Sequence, residues 1–67
     1  MNTMTERNFI PIKVVATTTS IDYRTNQMYP MVVLERLDTH ERCVTYPRWG
    51  DVGNEFNMAE DQVKKLF

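Results

Sequence analysis

The chain has 67 residues, 42% hydrophobic and 25% charged, with eight Lys and Arg against nine Asp and Glu for a net charge of −1. So short a chain forms one domain at most and buries only about 60% of the surface its unfolded form exposes, which argues against a deep catalytic pocket. The composition is too apolar for disorder, and the near-zero net charge provides no global field to gather nucleic acid or an anionic membrane.

Residues 1 to 8, MNTMTERN, show no apolar period and read as a flexible N-terminal segment. Residues 9 to 67 read as a single small β-rich domain with a C-terminal helix. FIPIKVVATTTS is rich in β-branched residues, and Ile10, Ile12, Val14 and Ala16 alternate with Pro11, Lys13, Val15 and Thr17, the period of a strand. Pro11 cannot donate to a ladder, so it belongs on an edge or where the strand joins the sheet. IDYRTNQMY, residues 21 to 29, interrupts the pattern with turn-forming Asp22 and Thr25-Asn26-Gln27, and reads as a loop or a wide hairpin tip. After Pro30, MVVLERL is apolar on both faces, as expected of a central strand. Asp38-Thr39-His40-Glu41 is a polar hairpin connection, and RCVTYPRW returns antiparallel until Pro47 ends the pairing.

In YPRWGDVGNEF, Gly50 and Gly53 supply the positive φ that a chain reversal needs, and Trp49 is expected to be at least partly buried. In EFNMAEDQVKKLF, Asn57 followed three residues later by Glu60 resembles a capping box, with Asn57 as the N-cap. Ala59, Val63, Leu66 and Phe67 share one helical face, with Glu60 and Asp61 near its start and Lys64 and Lys65 near its end. So short a helix needs a surface to dock on. The expected fold is α+β: a small antiparallel β-sheet or partly closed small barrel of three to four strands, with the C-terminal α-helix packed on it.

Chemistry-bearing motifs are sparse. Asp38, His40, Glu41 and Cys43 offer one His and one Cys where a zinc site wants four well-placed ligands, so no metal or other cofactor is expected. Cys43 has no base or oxyanion hole evident beside it, the acids sit in polar contexts, and GDVG lacks the pattern of a phosphate loop; no catalytic residue is assigned. As the only cysteine, Cys43 cannot form an internal disulfide, which fits a reducing, cytoplasmic setting. Met31 to Leu34, among the longest apolar runs, is far too short to cross a bilayer, and MNTMTERNF lacks the character of a signal peptide.

Binding is better represented. Tyr, Trp, Arg and Met, the residues enriched at interface centres, are all present, and Tyr46, Arg48 and Trp49 are the expected anchors, with Tyr29, Arg36 and Arg42 in support. The expectation is a non-catalytic protein-binding module, an accessory, regulatory or inhibitor protein that occupies a partner protein. The alternative is a single-stranded nucleic-acid binder using the strand face of Arg42, Val44, Tyr46 and Arg48. An exposed sheet edge also allows a homodimer.

Overall fold

The computed structural model describes residues 8–67, so the loose start expected for residues 1 to 8 lies outside the described residues except at Asn8. Strands β1 (Phe9–Asp22), β2 (Gln27–Arg36), β3 (Arg42–Thr45) and β4 (Glu55–Ala59) precede helix α1 (Glu60–Leu66). The strands form one open antiparallel sheet in the order β3-β2-β1-β4. The architecture is the expected α+β sheet with a C-terminal helix, in its open rather than barrel form.

β1 and β2 are the central pair, and both are longer than their neighbours. β4 covers β1 only from Phe9 to Lys13, and β3 covers β2 only from Val32 to Glu35. Beyond Thr17 and Val32 the two central strands therefore continue as a two-stranded arm, paired from Thr18↔Met31 to Asp22↔Gln27. The segment from residue 21 to 29, expected as a loop or a wide hairpin tip, is the end of this hairpin, with a tighter turn than a wide tip. Ile21 faces Met28 and Ser20 faces Tyr29, and only residues 23 to 26 turn. That turn is closed by Asp22, whose carbonyl accepts from Thr25 and Asn26 N–H at 3.2 and 2.6 Å and whose carboxylate accepts from Arg24 N–H at 3.0 Å. Asn26 takes φ 61°, a conformation its side chain tolerates.

A one-residue bulge at Val15 shifts the register between Val14 and Ala16. Because side chains alternate across a sheet, the extra residue reverses which parity faces the core. Ile12 and Val14 lie with Leu34 on the buried face, whereas Ala16 pairs with Val33 on the other face and Thr17 pairs with buried Val32. The unbroken alternation expected through Ala16 therefore stops at the bulge. Pro11 sits just before the first β1–β2 pair, Ile12↔Arg36, with its carbonyl accepting from Leu37 N–H at 2.9 Å. It precedes the β1–β2 ladder but lies inside the β1–β4 ladder, paired with Asn57, so the expected entry position holds on the β2 side alone.

The core is Ile12, Val14, Val32, Leu34, Met58 and Val63, with Ile10, Cys43, Trp49, Phe56, Leu66 and Phe67 packed around it. The expected apolar face of the helix does dock on its own sheet. Its start differs from expectation: Asn57 lies in β4, the N-cap is Ala59 in an extended conformation with no side-chain cap, and the helix begins at Glu60. Tertiary pairing outweighs the local capping signal here, because EFNMA pairs with Phe9–Lys13 and places Met58 opposite Ile10 and Phe56 opposite Ile12. Asn8 takes over the capping role, its carbonyl accepting from Glu60 N–H at 2.9 Å and its side-chain amide donating to Glu60 Oε1 at 3.2 Å.

Candidate functional site

With the helix on one face, the opposite face of the sheet is left to solvent. By strand alternation it carries Tyr29, Met31, Val33 and Glu35 from β2 and Arg42 and Val44 from β3. Val44 is 55% exposed, and Tyr46, just past the end of β3, is 61% exposed. Two tyrosines separated by 17 positions in sequence meet there: the rings of Tyr29 and Tyr46 stack at 6.4 Å between centroids, inclined by 25°. They border an open concavity of about 840 Å³ between the arm tip and the end of β3, whose other walls are Ile21, Asp22, Tyr23, Arg24, Pro30 and Pro47. Tyr23 is 88% exposed at its rim. Three tyrosines and two prolines make a largely apolar surface with hydroxyl tips, a chemistry that suits protein side chains and backbone carbonyls.

The charged groups in the concavity are Asp22 and Arg24, which face each other at 3.9 Å. No Ser, Thr, Cys, Lys or His side chain is among the residues that line it. Among the described residues no group of three or more His, Cys, Asp or Glu could hold a metal ion. Cys43 is half-buried against the core, and burial pushes its thiol pKa up, away from the reactive thiolate.

Of the three expected anchors and three supporting residues, Tyr46 and Tyr29 are brought together, and the other four lie in different settings. Arg42 Nε donates to Glu35 Oε1 at 2.8 Å, and His40 Nδ1 lies 3.0 Å from Glu35 Oε2. The hydrogen bonds from His40 and then Arg42 hold the Glu35 carboxyl below its ordinary range. Arg36 donates through Nε and Nη2 to the two carboxylate oxygens of Asp38 at 3.0 and 2.8 Å, and its Nη1 reaches Glu41 at 3.5 Å. This pairing lowers the Asp38 pKa and raises that of Arg36. Both arginines thus clamp the β2–β3 hairpin, where His40 takes φ 66°.

Trp49 is half-buried, its indole stacked on Phe56 at 5.4 Å and nearly parallel at 5°. The Arg48 guanidinium carbon lies 5.6 Å from the same indole. Trp49 Nε1 is buried without a hydrogen-bond partner among the described residues. The turn that positions the ring needs both glycines, at φ 103° for Gly50 and 99° for Gly53. Asn54 Nδ2 donates to the Trp49 carbonyl at 2.7 Å and packs so closely on Gly50 that a Cβ there would fall 2.7 Å from it. The partial burial expected of Trp49 is therefore present, and its setting is a lid on the edge of the core.

Tyr23 and Arg24 carry base-stacking and phosphate-pairing side chains but are not among the expected partner-binding anchors, because IDYRTNQMY reads as an interruption rather than as two strand ends. The available signal was Asp22 four residues before Asn26, a turn pair flanked by apolar Ile21 and Met28. No protein family, curated protein or solved structure matches the chain.

Proposed function

We propose that the protein is a non-catalytic binding module that occupies a partner protein through the Tyr29–Tyr46 surface. The observation that carries this reading is the stacked, solvent-facing tyrosine pair beside an open concavity of about 840 Å³. Rigid aromatics with few rotatable bonds give a large contact area at low entropic cost, which is why they anchor interfaces. Tyr23 and Val44 add exposed apolar area on the side of the pair. The carboxylate pairing of Arg36 and Arg42 supports a protein partner over a nucleic acid, since a phosphate would have to compete with Asp38 and Glu35 for those guanidiniums. Among the described residues no helix is long and apolar enough to cross a membrane.

The test compares tagged wild-type protein with a Tyr29→Ala/Tyr46→Ala variant in nuclease-treated lysate at moderate salt. A stoichiometric protein retained by the wild type and lost from a variant with unchanged circular dichroism is the expected result. Equal retention by both proteins, or no stoichiometric protein on either, overturns the proposal. Oligonucleotide affinity that falls steeply between about 50 and about 200 mM salt transfers the function to nucleic acid.

A further inference from the structure

The arm leaves strand edges without a neighbour, and the sheet's free edges differ in how they are protected. β3 is only four residues long and starts with Arg42; β4 carries Glu55 and Asn57; the arm portion of β2 contains Pro30. Short length, charge and proline are the usual devices that keep an edge from pairing. The β1 edge along Ala16–Asp22 has none of them before its last residue. It reads ATTTSID, β-branched at four of seven positions and uncharged until Asp22. Thr17, Thr18 and Thr19 are exposed. A two-stranded ribbon is also marginal by itself, and a third strand would stabilise it.

The geometry points to a second copy of this chain as that strand, paired antiparallel along Ala16–Asp22 about a two-fold axis at Thr19. The free segment is bounded at one end by the β4 side, where Gly53 N–H donates to the Val14 carbonyl at 2.7 Å, and at the other by the turn that follows Asp22. A two-fold pairing centred on Thr19 therefore uses the whole free edge of both copies. It places Thr19 opposite Thr19, Thr18 opposite Ser20, Thr17 opposite Ile21 and Ala16 opposite Asp22 of the second copy. No like charges face each other, and Thr–Thr cross-strand pairs are favourable. The same register brings the tip carrying Arg24, whose side chain is 93% exposed, to the loop carrying Asp51 of the other copy, once at each end. The result is an isologous dimer in which the two arms form a four-stranded ribbon with both helices on one face and both tyrosine surfaces on the other. The pairing uses the backbone edge of β1, whereas the Tyr29–Tyr46 pair rests on β2 and the end of β3; Ile21, Asp22 and Arg24 border both, and the two tests stay distinct because Tyr29→Ala/Tyr46→Ala leaves Ala16–Asp22 intact.

Purified full-length chain is tested by sedimentation over a concentration series from about 1 µM to about 1 mM, because so small an interface forms a weak dimer. The expected result is a monomer–dimer equilibrium, with amide exchange over residues 16 to 22 slowing as concentration rises. Thr19→Lys, which sets two ammonium groups against each other at the axis, should weaken dimerisation roughly tenfold or more. A monomer at every concentration overturns the inference, as does a dimer whose exchange over residues 16 to 22 is unchanged. Should Thr19→Lys fail to fold, the wild-type exchange pattern decides.

Discussion

The docking of α1 can be tested at Val63, the one helix residue in the fully buried set, at 1% exposure. Val63→Ala removes two carbons from a fully buried member of the core cluster that also holds Ile12, Val14, Leu34 and Met58. At about 0.8 kcal/mol for each buried methylene-sized group, and with a modest cavity left behind, the loss is about 2 kcal/mol. Alanine's better helix propensity returns roughly 0.5 kcal/mol, so the net destabilisation is about 1–2 kcal/mol. A chain of this length has a total stability of roughly 3–10 kcal/mol, so the change is a sizeable share of it. Urea unfolding followed by circular dichroism gives the free energy directly, and thermal unfolding should show a loss of about 4–8 °C per kcal/mol. Lys64→Ala, at an exposed position of the same helix, is the matched control and should change little. If Val63→Ala costs less than about 0.5 kcal/mol, or no more than the control, the helix is not held by the sheet and the reasoning fails.

The two glycines should respond unequally. Gly53→Ala is strained by its φ of 99° but meets nothing within 4 Å, so about 1–2 kcal/mol is expected; Gly50→Ala adds a clash with Asn54 and disturbs its bond to the Trp49 carbonyl, costing about 1 kcal/mol more. Chemical denaturation of the two variants checks the order, and Trp49 fluorescence should change for Gly50→Ala alone. Acid should destabilise the fold. Glu35 and Asp38 titrate below their ordinary values of 4.5 and 3.8, so between those values and their folded pKa the unfolded chain binds more protons, and stability falls as pH drops through the window. Denaturation midpoints measured from neutral pH down to about pH 2.5 should show this slope, and Glu35→Gln should flatten its upper part; an identical slope in the variant removes Glu35 as a cause.

Much of the frame was legible in the residue pattern. The β-branched alternation of FIPIKVV, the two-faced apolar run of MVVLE and the apolar stripe through Val63, Leu66 and Phe67 each reflect a local rule, and each element formed. The two glycines also took the positive φ read from their position in the turn. Those features depend on near neighbours, which a sequence displays directly.

Long-range pairing decided the rest. Asn57 lost its capping role because Phe9–Lys13, some 46 positions earlier, offered EFNM a strand to pair with, a competition between near and distant partners that no window of sequence contains. The bulge at Val15 reversed the facing of β1 midway, and with it the side on which Ala16 and the threonines lie. The tyrosine pair arose the same way: Tyr29 and Tyr46 belong to segments that each read as ordinary strand ends. Their meeting follows from β2–β3 register and from β3 ending at Thr45 while β2 extends outward to Gln27. The residue types that favour an interface were written in the chain, but which of them share a surface, and which arginines are already paired, depended on that register.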